Sequence, residues 1–358
     1  MPKIFRPARV LLSGYYGFAN AGDEAVLAGL VLSLRAVDPH LEITVLSINP
    51  RETQAAHGVR AVHRSRPKDL LPALARTDLL ISGGGSLLQD VTSAHGILYY
   101  LGVVRLAQML GKRTMFGAQG VGPLRRARSR RLVASVANRL DAVTVRDSES
   151  ADLLRTIGVS RPAIEVAADP ALLLGPDVLT PSPSDTYGVA LRPWHGQEDL
   201  AVRLADACRE ALPQARPVLF PMQPQTDTLI GEQFASLCNQ QEKAGAVSPG
   251  GGLDALVRAI GGCEMMVGMR LHALILAAAA GVPSVGLSYD PKVAAFMAQS
   301  SQGASVYDLS QWGDVSLPAL LSRRWAGRAE HAQALRGRLP ALRARAGRTA
   351  QVAVALME

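Results

Sequence analysis

Short apolar runs alternate with amphipathic stretches along most of the chain, and many runs end on glycine or proline. An apolar run bounded by turn residues predicts a buried strand, and apolar residues spaced three and four apart predict a helix. The first half reads as strands at 9–13, 43–47, 59–62, 78–82, 113–117, 142–145 and 164–167, with helices at 23–37, 67–76, 97–111, 129–139 and 148–157. Residues 175–186, rich in Pro, Ser, Asp and Gly, read as a linker. The alternation then restarts, with strands at 188–191, 217–220, 264–267 and 283–287 and helices at 199–212, 226–239, 252–260, 273–280 and 291–298. Two successive β-α series predict an α/β protein with two doubly wound, Rossmann-like domains facing a cleft. The expected bounds are 1–178, 187–310 and a helical tail at 311–358 that could pack back on the first domain. The tail pattern reads as broken near 337–340.

Composition narrows the function classes. Hydrophobic residues make up 48% of the 358 and charged residues 19%, enough for packed cores and too apolar for disorder. The net charge is +8, with arginine concentrated at 125–139 and 323–348. A basic surface suits phosphorylated substrates, anionic membranes or nucleic acid. Nucleic acid is not expected, because the basic stretches lack interleaved aromatics and carry no recognised binding signature. Cys208, Cys238 and Cys263 are odd in number, far apart and without metal-ligand spacing, which reads as incidental thiols in a reducing compartment. No leader peptide and no membrane-spanning run is read. A cytoplasmic protein is expected, with peripheral contact to an anionic membrane near 125–131 left open.

The candidate chemistry falls at the carboxyl ends of predicted strands. Arg270 and His272, in Gly268-Met269-Arg270-Leu271-His272, stand between an apolar strand and the amino end of an apolar helix. That position favours an anionic guest, and an imidazole there can move a proton. The plainer reading makes Arg270 a carbonyl cap and His272 a core residue. Lys292 opens the helix after the next strand, where a cation opposes the helix dipole. Arg146 follows the strand at 142–145 and Arg192 the strand at 188–191; Gln223 lies just beyond the strand at 217–220. Three glycine-rich loops also end strands: Gly14 to Glu24, Gly83 to Asp90, and Gly117 to Pro123. In the first, Asp23 and Glu24 would repel a phosphate, so sugar hydroxyls or a neutral group are the expected guest, and simple N-capping would also account for Asp23. The loop spacings match neither a dinucleotide fingerprint nor a Walker A loop.

Taken in order, the Gly14 to Glu24 loop, Gly83 to Asp90, Arg146-Asp147, Arg192-Pro193-Trp194, Gly268 to His272 and Lys292 resemble the polysaccharide pyruvyltransferase family, most nearly the bacterial enzymes acting on the wall polymer that anchors surface layers. The resemblance covers about residues 10–300 and omits the arginine-rich tail. It implies a glycosyltransferase-B-like fold and transfer of the pyruvyl group of phosphoenolpyruvate onto two hydroxyls of a sugar. The sugar is often N-acetylmannosamine on a lipid-linked precursor. Phosphoenolpyruvate is then a co-substrate, with no metal or other cofactor. Carried onto this chain, the resemblance makes His272, Arg270, Lys292 and Arg146 the catalytic set. The donor would meet Arg270, Leu271, His272, Lys292, Arg192 and Gln223. The acceptor would meet Gly17, Asn20, Asp23, Gly84, Gly85 and Gln89. Two other readings stay open: a sugar-nucleotide-dependent glycosyltransferase of the same fold, and a non-catalytic protein that binds a phosphorylated ligand.

Overall fold

The computed structural model describes residues 6–91, 94–175, 184–238, 245–246, 251–311 and 316–358. The chain divides into two compact units, one of Met1–Phe18, Asp23–Leu173 and Arg343–Glu358, the other of Ala19–Gly22 and Leu174–Leu342. Most of the predicted linker, 176–183, lies outside the described residues.

The first unit carries β1 (Arg9–Tyr16), β2 (Glu42–Ser47), β3 (Arg60–His63), β4 (Leu79–Gly83), β5 (Arg113–Gln119), β6 (Ala142–Val145) and β7 (Ile164–Val166). They form one parallel seven-stranded sheet in the order β3-β2-β1-β4-β5-β6-β7. The intervening helices are α1 (Ala21–Val37), α2 (Pro50–His57), α3 (Pro67–Arg76), α4 (Ala94–Met109), α5 (Ala127–Ala137) and α6 (Ser148–Thr156). Along β1, Val10 and Leu12 join one buried cluster while Leu11 joins another, so both faces of the strand are covered. That double burial is why the strands read as continuous apolar runs rather than alternating ones. Helix α2 escaped prediction because Thr53 is its one buried residue and it has no apolar stripe; Pro50 starts it and left-handed Gly58 ends it. Strand β1 runs past the predicted end to Tyr16, with its pairing to β2 shifted between Ser13 and Tyr16.

The second unit carries β8 (Thr186–Ala190), β9 (Arg216–Leu219), β10 (Gly245–Ala246), β11 (Met265–Gly268), β12 (Ser284–Ser288) and β13 (Val306–Asp308). Its six-stranded sheet is parallel, in the order β10-β9-β8-β11-β12-β13. Helices α7 (Leu200–Ala211), α8 (Pro224–Leu237), α9 (Gly252–Gly261), α10 (Leu271–Ala279), α11 (Pro291–Gln299) and α12 (Leu317–Ala326) follow the same winding, and α13 (Arg328–Ala355) ends the chain. Strands β10 and β13 are edge strands too short to leave a pattern. In each sheet the winding direction reverses once, between β1 and β4 and between β8 and β11. Such reversals open a crevice at the carboxyl ends of the two strands.

The expected break in the tail is corrected. Helix α13 runs unbroken through Pro340, and the interruption falls at Gly327, after α12. A proline inside a helix costs about 3 kcal/mol. Here Leu335, Leu339, Leu342, Ala346, Ala350 and Ala353 are buried at helical spacing, and burial of that stripe outweighs the lost bond. The last part of α13, from Arg343, belongs to the first unit, where Arg345 donates to the Ala167 carbonyl at 2.9 Å and Thr349 lies 3.0 Å from Thr144 Oγ1.

Candidate functional site

Each unit gathers its polar groups at the carboxyl edge of its sheet. In the second unit, Arg270 is the N-cap position of α10, immediately after β11. Its Nε donates to Asp227 Oδ2 at 2.9 Å, its Nη2 reaches Asp227 Oδ1, and Nη2 also meets Thr226 Oγ1 at 3.0 Å. Asp227, whose side chain is 1% exposed, also accepts the Gln223 N–H at 2.9 Å, so one carboxylate holds both the guanidinium and the start of α8. This bidentate pair fixes the plane of the arginine. Neither Asp227 nor Thr226 was singled out in the sequence; an acid in the first turn of a proline-led helix was the available signal.

His272 is the second residue of α10. The loop residue Gly22 lies so close that a Cβ there would collide with the imidazole Nδ1. The loop is itself anchored, since Ala21 N–H donates to the Met222 carbonyl at 2.8 Å. Close approach to the histidine therefore requires glycine at position 22.

Arg192 follows β8. Its guanidinium carbon lies 5.5 Å from the ring centres of both Trp194 and Tyr289, and those rings are 4.5 Å apart. Its Nη1 is 3.4 Å from the Tyr289 hydroxyl, while its buried Nε has no hydrogen-bond partner. Lys292 Nζ lies 5.8 Å from the same Tyr289 ring and 3.0 Å from Asp290 Oδ2. Asp290 also caps α11 by accepting the Lys292 N–H at 3.1 Å. The cation at this helix start is thus offset by its own N-cap carboxylate. Lys292 is joined to Arg192 through Tyr289, whereas Arg270 is joined to α8. Leu271 is buried as the first residue of α10, and Gln223 serves as N-cap of α8.

In the first unit, Arg146 is the residue after β6 and is 5% exposed. It donates to Ser86 Oγ at 2.8 Å and pairs with Asp147 at 3.3 Å and Asp169 at 3.5 Å. Gly120 lies against it, and a Cβ there would stand 2.7 Å from the guanidinium carbon. The third glycine loop is therefore the floor of the Arg146 pocket. Asp147 caps α6, accepting the Ser150 N–H at 2.7 Å. Buried Gln119, which the sequence did not single out, donates to the Gly120 carbonyl at 3.0 Å.

The glycine triplet is explained by the protein itself. A Cβ on Gly83 would strike the Gly117 carbonyl, one on Gly84 would stand 2.8 Å from the Tyr16 hydroxyl, and one on Gly85 would strike Asp23 Oδ1. Gly84 and Gly85 also have φ of +90° and +71°. Asp23 is 8% exposed and does not cap α1; Asn20 Oδ1 accepts the Gly22 N–H at 3.0 Å instead. Gly17 has φ +80° and donates its N–H to Glu24 at 2.8 Å. Gln89 Oε1 accepts the Val91 N–H at 2.9 Å. Asp90 accepts the N–H groups of Arg125 and Arg126 at 2.7 and 2.8 Å. Burial alone would raise the Asp90 carboxyl, but these bonds and the Ser129 hydroxyl hold its pKa below the usual carboxylate value. Among the described residues, no cluster of three or more His, Cys, Asp or Glu could hold a metal ion. None of the described helices is long and apolar enough to cross a membrane.

Two doubly wound parallel units with charged groups at their carboxyl edges define a two-unit α/β architecture. Residues 20–291 match the family model of the polysaccharide pyruvyl transferases, and the chain belongs to that family. It is 22% identical over 386 residues to the amylovoran biosynthesis protein AmsJ of Erwinia amylovora, covering 87% of this chain and 90% of that one. Its fold is similar to that of Anabaena HepE in complex with UDP-glucose, with a TM-score of 0.64 and 13% identity over 98% of this chain and 99% of that one. It is also similar to S. aureus MnaA with UDP, at 0.63 and 10% identity over 96% and 94%. The protein is a pyruvyltransferase of polysaccharide synthesis with a glycosyltransferase-B-like fold. The surface-layer subgroup suggested by the sequence finds no separate support in these likenesses.

Proposed function

We propose that the chain transfers the pyruvyl group of phosphoenolpyruvate onto two hydroxyls of one sugar, forming a cyclic ketal and releasing phosphate. The observation that carries the donor assignment is Arg192, whose buried Nε has no hydrogen-bond partner and whose guanidinium sits on two rings beside Lys292. A small dianion or trianion satisfies such a group, and phosphoenolpyruvate offers both a carboxylate and a phosphate. Arg270, plane-locked by Asp227, supplies a second guanidinium at the same sheet edge.

The reaction balances without a cofactor. His272 donates a proton to the donor methylene, leaving an oxocarbenium-like carbon. The first sugar hydroxyl adds there and gives up its proton, which restores the histidine. The phosphate leaves with the second hydroxyl proton as that oxygen closes the ketal. Arg192, Arg270 and Lys292 offset the charge on carboxylate and leaving phosphate. The first unit's carboxyl edge, with Asp23, Gly84, Gly85 and Arg146, is assigned to the acceptor. A lipid-linked sugar, with N-acetylmannosamine as the first candidate, is the proposed acceptor class, and the relative named for amylovoran biosynthesis adds exopolysaccharide repeats to the panel.

The test incubates purified protein with phosphoenolpyruvate and N-acetylmannosaminyl and exopolysaccharide-repeat acceptors. Acceptor-dependent phosphate release with the mass gain of a ketal is expected. Silence across the panel, with a sugar nucleotide bound and consumed instead, would replace this reading with glycosyl transfer.

A further inference from the structure

Arg64 has a place on the first unit's carboxyl edge that none of the family motifs explains. It follows β3 directly and is 8% exposed. Its guanidinium carbon lies 4.0 Å from the Tyr99 ring centre and 5.2 Å from those of Phe18 and Tyr100. Its Nη1 meets only the Gly14 carbonyl and the Tyr100 hydroxyl, each at a long 3.4 Å. Among the described residues no carboxylate oxygen lies within 4.0 Å of it. The backbone is pinned nonetheless: Arg64 N–H donates to Ser47 O at 2.9 Å, and its own carbonyl accepts the Tyr99 hydroxyl at 2.8 Å.

A guanidinium has five N–H donors and stays protonated when buried. Ring faces attract its charge but accept few of those hydrogens. Arg146, on the same edge, shows the alternative, with two carboxylates and a serine around it. Beside Arg64, Tyr15 and Phe18 stack in parallel at 4.0 Å, and both are only part-buried. Part-buried rings next to a guanidinium held by two long hydrogen bonds and no carboxylate among the described residues fit a pyranose bearing a negative charge: the rings cover the sugar face and the guanidinium forks onto the anion.

We propose that Arg64, with Tyr15, Phe18 and Tyr99, is an acceptor subsite selecting a saccharide that carries a carboxylate or phosphate. Its role in transfer rests on the pyruvyltransferase reading above; its binding chemistry does not. Calorimetry or ligand-observed NMR on the full chain tests it with methyl glucuronide, glucose 1-phosphate, methyl glucoside and phosphoenolpyruvate. The expected result is a roughly 10- to 100-fold preference for at least one charged hexose over methyl glucoside. Which one is preferred identifies the anion. Arg64→Gln should abolish that preference while leaving phosphoenolpyruvate binding unchanged, and Arg64→Lys should keep part of it. Should Arg64→Gln fail to fold, Tyr15→Ala is the second probe, expected to weaken charged and neutral hexoses alike. Equal binding of charged and neutral hexoses by the unaltered protein overturns the proposal. So does a preference that survives Arg64→Gln, an unchanged hexose affinity in Tyr15→Ala, or a loss confined to phosphoenolpyruvate. Loss of transfer with every acceptor, alongside intact Arg64-dependent binding, would sink the proposed phosphoenolpyruvate-to-sugar transfer and leave this subsite standing.

Discussion

The two carboxyl edges solve the same electrostatic problem in two ways each. In the first unit Arg146 is paired with Asp147 and Asp169, while Arg64 rests on Tyr99, Tyr100 and Phe18. In the second unit Arg270 is paired with Asp227, while Arg192 rests on Trp194 and Tyr289. A buried cation paired with a carboxylate is costly to break, because removal of one partner leaves the other charged and dry. A ring-held cation leaves no charge behind when it is removed, and it keeps donors for a guest. The paired arginines should therefore bear on stability and orientation, and the ring-held arginines on ligand affinity.

The largest expected effect tests the chemistry that this arrangement serves. His272→Ala should lower kcat by about 10²–10⁴-fold with an unchanged unfolding midpoint. Near-normal turnover would remove the proton-donor role. Next, Arg270→Ala should destabilise by about 3–5 kcal/mol in urea unfolding, since Asp227 is left buried without its cation. A midpoint within error of the unaltered protein would break the paired half of the comparison. Arg192→Gln should leave that midpoint in place and weaken phosphoenolpyruvate binding about 10- to 100-fold by calorimetry. A variant that loses stability and keeps affinity would break the ring-held half.

The smallest effect concerns the acid side of stability. The Asp90 pKa is held below its unfolded value, so its contribution is present above about pH 4 and is lost as pH falls through the folded pKa. Asp90→Asn should cost about 1 kcal/mol or less at neutral pH, and the gap from the unaltered protein should narrow as pH falls below about 4. A gap that widens on acidification would reverse the sign assigned to this carboxylate.

Much of the architecture was legible because it follows from local patterns. Buried parallel strands leave continuous apolar runs, and glycines mark the tight turns at their carboxyl ends. Arg146, Arg192, Arg270, His272 and Lys292 could be placed just after strands because strand-end positions are local too. Helix α2 was not legible, since it has no apolar stripe, and the edge strands β10 and β13 were not, since they are too short to leave a pattern. Pro340 misled because its penalty is local while the stripe that overrides it spans the whole of α13.

The sequence by itself determined two β-α series, their doubly wound class and the residue types at the strand ends; the strand order that sets the switch points came from the structure. Apolar periodicity and turn chemistry act over a few neighbours, so they can be read along the chain. Only the tertiary structure decided what surrounds each cation. Asp227 meets Arg270 across 43 positions, Ser86 meets Arg146 across 60, and Tyr100 meets Arg64 across 36. Charge pairing depends on distance in space and on exclusion of water, and neither is written in sequence separation.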